Sequence, residues 1–333
     1  MESRKQRCLV TGGAGFIGSH LARRLIADGH DVRIVDNLAT GFRENVAAIE
    51  DQVDFQLGDL CDPAVCERAV RGVDVIFHLA ALGSVPRSLA DAWGSHDANV
   101  NATVRLLEAA RGAGVRRVVY SSSSSVYGDT PTLPKVETME PLPRSPYAAS
   151  KLSGEQYVLA YARAGLVEGV ALRYFNVFGP RQSPEGPYAA VIPLLMRSAF
   201  QGTAAVLFGD GLQTRDFTYV DNVVEANVLA ATGPAERVSG WVVNVGAGRR
   251  TSLRDLLAMV ERVSDRPIAV DRRPPRAGDV RDSLASLERT RAVLGYEPAV
   301  SVEEGLRRTW QWFVSQREGA EAATAPAAGA ERA

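Results

Sequence analysis

The chain has 333 residues, 46% of them apolar and 23% charged, with a formal net charge of −1. That is the composition of an ordinary globular protein, and the near-zero charge excludes the broad basic footprint that nucleic-acid binding requires. A single hydrophobic core usually stops growing before this length, so two lobes are expected.

The N-terminal MESRKQR runs straight into CLVTGG without an apolar signal stretch. Nowhere does the chain approach the roughly 20 apolar residues that span a bilayer. A reducing cytoplasm is therefore the expected setting. CLVT (8–11) reads as a buried strand, and Cys8 within it as a buried thiol. Cys8, Cys61 and Cys66 form no CxxC pair, and no metal site is expected. GGAGFIG follows, placing Gly12, Gly15 and Gly18 before SHLARRLIADG (19–29). There Leu21, Leu25 and Ile26 recur at helical spacing and Gly29 supplies the stop. Glycines between a strand and a helix allow a tight turn and close approach to a pyrophosphate, which the helix N-terminus attracts. DVRIV (31–35) is the second strand, and Asp36 ends it eighteen residues beyond Gly18. A carboxylate there accepts the ribose hydroxyls of NAD and repels the 2′-phosphate of NADP. VDFQL (53–57) leads to GDL (58–60) and VDVIFHL (73–79) to HLAAL (78–82). Asp59 is placed to meet the adenine, and Leu79, Ala80 and Ala81 to line the cofactor.

RRVVYSS (116–122) ends in the run Ser121 to Ser125, and SPYAASKLSGE (145–155) follows. On a helix, Tyr147 and Lys151 project from one face. Alone, the pair reads more readily as a surface helix with a solvated lysine. Beside a nucleotide loop and a serine-rich strand end, it reads as a phenol of ordinary pKa about 10 brought into working range by a cation. Such a tyrosine serves as general base on a sugar hydroxyl while NAD is the oxidant. GVALRYF (169–175) is the sixth strand. Strands alternating with helices imply an α/β fold, a Rossmann-type doubly wound parallel sheet with a smaller C-terminal α/β substrate domain. Past residue 176 the rhythm loosens into Pro- and Gly-rich sequence. The expected division is 1–176 for NAD binding and 177–316 for the substrate, some segments of the latter returning to the first domain. Residues 317–333 are expected to be a disordered Ala-rich tail. No internal repeat is visible.

TGGAGFIGSH, SVYGD, SPYAASKLSGE and RYFNVFGPRQ together resemble the extended short-chain dehydrogenase/reductase family. The resemblance is closest to NAD-dependent UDP-hexose 4-epimerases, and among them to bacterial UDP-N-acetylglucosamine 4-epimerases. It runs from about Arg7 to Phe313, and its narrower features are AALGSVPRS (80–88), YAAVIP (188–193), GDGLQTRDFTYV (209–220) and AGDVRDSLAS (277–286). It implies Ser123, Tyr147 and Lys151 as the catalytic group. It adds Phe16, Ile17, Asn37, Leu38, Thr40, Gly41, Leu60, Asn99 and Tyr174 to the cofactor residues, and counts Tyr147 and Lys151 among them, the lysine reaching the nicotinamide ribose. For the substrate it implies Ser84, Arg87, Ser124 and Ser125 about the sugar. Asn176, Arg215 and Arg276 fall at the diphosphate, Ala190, Val191 and Phe208 at the uracil, and Asp279 at the uridine ribose. Ser283 matches a position where epimerases restricted to UDP-glucose and UDP-galactose carry tyrosine, so a small residue there points to N-acetylated sugars.

The implied reaction is a transient oxidation at C4 of a UDP-sugar, with homodimerisation through helices within 93–112 and 150–164. UDP-GlcNAc/UDP-GalNAc is the expected pair, with UDP-Glc/UDP-Gal also open. UDP-glucuronate epimerisation is a further alternative, with Arg87 and Arg181 as unplaced carboxylate partners. The 4,6-dehydratases resemble T-D-E-V-Y-G at the strand end, and decarboxylases carry Glu two before that tyrosine. Ser124 and Ser125 stand here and cannot do that acid–base work. A non-catalytic NAD-binding relative tends to lose Tyr or Lys, and both remain.

Overall fold

The computed structural model describes residues 5–185, 189–274 and 280–324. Its centre is a seven-stranded sheet whose neighbouring strands are all parallel. In chain order these are β1 (Arg7–Thr11), β2 (Asp31–Asp36), β3 (Val53–Leu57), β4 (Val75–His78), β5 (Arg117–Ser123), β6 (Glu168–Tyr174) and β7 (Val242–Val245). Across the sheet they lie β7-β6-β5-β4-β1-β2-β3. The order reverses between β1 and β4, where open α/β sheets leave a crevice at their carboxyl edge.

Side chains alternate across the pleat. Cys8 and Val10 of β1, with Val75 and Phe77 of β4, enter one core; Leu9 and Ile76 enter the other. Strands buried on both faces therefore read as unbroken apolar runs. The first core is closed by α1 (Phe16–Ala27) through Leu21, Ala22 and Leu25. The second is closed by α2 (Pro63–Ala69), α3 (Ala102–Gly112) and α4 (Pro146–Arg163). Cys8 and Cys66 are free buried thiols, and burial pushes Cys8 up to about 12.

The chain crosses the boundary at 176 more than once. Past α5 (Val191–Gln201), α6 (Val220–Thr232) returns to the first core through Val220, Val223 and Val224. β7 then pairs with β6 from Val242↔Ala171 to Val245↔Tyr174. The smaller lobe combines α5, α7 (Leu253–Ser264) and α8 (Val302–Thr324) with a parallel pair, Ala205–Phe208 beside Val270–Arg273. Phe200 of α5 meets Phe313 of α8 at 5.8 Å between ring centres. The expected tail starts inside α8, where Ala and Glu favour helix as far as Thr324. Residues 325–333 lie outside the described residues. Among the described residues no helix is long and apolar enough to cross a membrane.

One ion pair is fully enclosed. Arg173 of β6 donates to both Glu155 oxygens, at 2.7 and 2.9 Å, and the two side chains are 2% and 0% exposed. Ser122 of β5 adds a hydroxyl donor at 2.7 Å. Removing one partner strands a buried charge, whereas replacing both with apolar residues does not. Glu155→Ala is expected to lower unfolding free energy by about 3–5 kcal/mol in urea titration. Glu155→Leu with Arg173→Met should recover most of it; a double variant no better than the single would refute this account.

Candidate active site

The carboxyl ends of β1 to β6 open into one cavity of about 1450 Å³. Gly12 adopts φ +67°, and a Cβ there would meet the Ala80 backbone at 2.8 Å. On Gly18 a Cβ would lie 2.2 Å from the Gly12 carbonyl oxygen, and on Gly15 3.0 Å from the same atom. The turn is thus tighter than side chains at these positions allow. Gly15 is the N-cap of α1 and offers no side-chain acceptor to the first amides. Those N–H groups and the helix dipole favour an anion at that end.

Asp36, buried, accepts the Ala14 and Leu38 amides at 2.9 and 2.8 Å. A carboxylate has about four acceptor sites, so two remain for a diol. Burial raises its pKa, and the two amides oppose the shift. Gly41 sits so close that a Cβ would be 3.0 Å from Asp36 Oδ2. Asn37 donates to Asp59 at 2.9 Å, while Asp59 also accepts the Cys61 amide at 2.8 Å. Phe16, Ile17, Thr40, Leu60, Leu79, Ala80 and Ala81 line the same half of the cavity. Leu38 and Asn99 do not line it. Asn99 accepts the Leu82 amide at 2.8 Å and donates to Ser150 at 2.9 Å, bracing the wall from behind. The glycine cradle, the uncapped helix end and the spare acceptors of Asp36 fit NAD.

The opposite wall carries the tyrosine and lysine. Ser145 caps α4 by accepting the Ala148 amide, with Pro146 at the first helical position. Tyr147 and Lys151 then rise one turn apart into the cavity. The Tyr147 phenol lies beside the Ser123 hydroxyl, which accepts from Ser125 Oγ at 2.9 Å. The Lys151 ammonium lies 4.6 Å from the centre of the Tyr120 ring. Burial pushes the phenol above its ordinary range, with Ser123 opposing. Burial also pulls Lys151 down to about 7, with Glu155 opposing. The expectation that the lysine lowers the tyrosine is thus set against desolvation, which disfavours the charged form of both.

Ser84, Ser124, Ser125, Tyr174, Asn176, Ala190, Arg215 and Ser283 line the rest of the cavity. Ser84 takes φ 136° and its hydroxyl caps Val85–Ala90 by accepting the Arg87 amide. Arg87, Val191 and Phe208 do not line the cavity, and Arg181 donates to Ser19 at 2.9 Å rather than facing it. Arg276 and Asp279 lie outside the described residues. Sequence reasoning missed Lys135, Arg144 and Gln182, which also line the cavity. Lys135 is 2% exposed, and its main chain bonds Leu284 and Ser286. No motif marks it; a long-range bridge to Ala285 places it there.

Residues 8–246 match the NAD dependent epimerase/dehydratase family. The UDP-glucose 4-epimerase of Mycolicibacterium smegmatis is 43% identical over 311 residues, 92% of this chain and 98% of that protein. The UDP-N-acetyl-alpha-D-glucosaminuronate decarboxylase of Bacillus cytotoxicus is 35% identical, over 93% and 98% of the two chains. Among solved structures, the UDP-N-acetylglucosamine 4-epimerase from Methanobrevibacter ruminantium M1, in complex with UDP-N-acetylmuramic acid, superposes with a TM-score of 0.89. That pair is 39% identical and covers 94% of this chain and 100% of the other. The family profile spans 8–246 and the relatives extend over nearly the whole chain: the protein belongs to the NAD dependent epimerase/dehydratase family and is an NAD-dependent isomerase.

Proposed function

We propose that the protein is a UDP-sugar 4-epimerase with UDP-GlcNAc and UDP-GalNAc as its preferred pair and UDP-Glc and UDP-Gal as secondary substrates. The observation that carries this reading is the hydroxyl-only wall beside Tyr147. Ser123 lies beside the phenol and accepts from Ser125, with Ser124 alongside. A base for one hydroxyl proton is present, while Ser124 and Ser125 offer no carboxyl group for elimination or decarboxylation.

Bound NAD supplies the reversible two-electron acceptor at the substrate's C4. The protein's residues hold the proton and the sugar. Tyr147 takes the O4 proton, with Ser123 sharing the hydrogen bond, and returns it to O4 after the sugar has turned. The Lys151 cation favours the phenolate during that interval. Asn176, Arg215 and Arg276 hold the diphosphate, so the ring can present either face without leaving. Guanidinium forks suit phosphate oxygens. Ser283, buried at the cavity wall, leaves room beside C2 for an N-acetyl group. The reading includes a cytoplasmic homodimer formed through α3 and α4, on which Tyr157 is 43% exposed.

Four outcomes are expected. Proton NMR of the protein with UDP-GlcNAc or UDP-glucose, without added NAD, should show anomeric signals of the galacto epimer. Tyr147→Phe should slow this by about 10²–10⁴-fold; intact substrate in every tube, even with NAD added, would sink the reading. Ser283→Tyr should cut kcat/KM for UDP-GlcNAc about tenfold more than for UDP-glucose, and equal loss on both would remove Ser283 from substrate choice. Lys151 gives a pH test. Its folded pKa of about 7 lies below the ordinary 10.5, so the unfolded chain binds the extra proton between these values. Stability from this group therefore rises with pH across that window, and the burial penalty is full below it. Lys151→Met should be inactive yet about 2–4 kcal/mol more stable at pH 7. The gap should close toward pH 10 in melts at saturating NAD; a pH-independent gap would contradict the assignment.

A further inference from the structure

Asp216 follows Arg215 directly and does not line the cavity. Its side chain is fully buried, 0% exposed, and no salt bridge reaches it among the described residues. Backbone amides surround it instead. The carboxylate accepts N–H groups from Ala247 at 2.8 Å, Gly248 at 3.1 Å and Ala285 at 3.0 Å. Its own carbonyl accepts Asn176 Nδ2 at 3.2 Å. The loop after β7 closes so tightly on it that a Cβ on Gly246 would lie 2.9 Å from Asp216 Oδ2.

Four chain segments meet at this one residue, and three of them carry a side chain that lines the cavity. Asn176 follows β6, Arg215 precedes the carboxylate, and Ser283 lies two residues before Ala285. The Arg215 and Ser283 segments are also joined on the other side of Arg215. There Asp282 accepts from the Thr214 amide at 3.2 Å and from its hydroxyl, and the Ser283 amide donates to the Thr214 carbonyl at 3.1 Å. A buried charge without a cation is costly, and packing alone would be met by an apolar side chain. What the carboxylate adds is geometry: two oxygens that accept from several amides set the spacing of their segments.

We infer that Asp216 is a positioning residue for the nucleotide sugar: without touching it, the carboxylate fixes the distance between the Arg215 and Ser283 walls. The inference rests on the substrate roles proposed above for Asn176, Arg215 and Ser283. Asp216→Asn is nearly isosteric but turns one acceptor into a donor facing amide N–H groups. One of those segments must then move, and displacements near 1 Å at a binding wall cost up to about 10²-fold.

The test uses the full-length protein with its NAD. UDP affinity by calorimetry, KM and kcat for the UDP-sugar turned over by the wild type, and retained NAD are measured for both proteins. The Kd for UDP and the KM should both rise about tenfold or more, with kcat within about threefold and NAD content unchanged. A fall in kcat and NAD content with Kd and KM unchanged would show a merely structural role and overturn the inference. Should the variant fail to fold, hydrogen exchange of the wild type decides. UDP should slow exchange at Ala247, Gly248 and Ala285, and unchanged exchange there overturns the inference. Wild-type protein that binds no UDP overturns both this and the proposed function; wild-type binding with an unaffected variant overturns this one alone.

Discussion

Glu155 lies one helical turn beyond Lys151 and two beyond Tyr147 on α4, and it meets Arg173 of β6 and Ser122 of β5 within 2.9 Å. A helix lying on a sheet can slide or roll at small cost to its apolar contacts, because burial is not directional. A bidentate guanidinium–carboxylate pair is directional. It fixes both the height and the phase of α4 over two neighbouring strands, and so fixes which strand-end serine Tyr147 meets. Ser122 turns to Glu155 while Ser123, on the opposite pleat face, meets the phenol. The Arg173 guanidinium also stands 4.6 Å from the centre of the Tyr127 ring, whose hydroxyl donates to Asn244 of β7 at 2.7 Å. Three strands and the helix bearing Tyr147 and Lys151 are thus held through one buried network.

Such networks are expensive, and their positions show where the molecule spends stability. Lys151 and Asp216 are ionisable groups buried where apolar side chains would fit, and both stand at or beside the cavity. Burial moves each away from its ordinary titration range, Lys151 down and Asp216 up. By contrast Cys8, which burial pushes up as well, lies inside a strand, does not line the cavity and packs as a small apolar side chain. Perturbed titration marks burial in all three; only the neighbourhood separates a working group from a filled core.

The sheet and the NAD half of the site were legible from the chain because their signals are local. An apolar run, a glycine turn, an amphipathic helix and a strand-final aspartate each fall within a few residues, and six of the seven strands were read this way. β7 was not, because its VVNV follows irregular sequence and gains its place only by pairing with β6, some seventy residues earlier. Lys135 was missed for a similar reason. Its approach to the cavity depends on a bridge to Ala285 across 150 residues, and no periodicity encodes that. Asn99 was assigned to the cofactor but sits behind the wall, since spacing along a helix does not reveal that its amide is taken up by Leu82 and Ser150.

The two halves of the cavity are held in different ways. The Tyr147–Ser123 wall stands on strands hydrogen-bonded on both sides and a helix clamped by an ion pair. The Arg215–Ser283 wall stands on two-residue strands, a single bridge between Thr214 and Asp282, and the amide contacts of Asp216. Side-chain and amide contacts, rather than long ladders, set the spacing of the segments on that second wall. On the proposed reading the chemistry belongs to the sheet edge, and the choice of sugar to the short strands. Substitutions on the short strands should then alter which UDP-sugar is accepted, and those on the sheet edge should alter how fast any of them reacts.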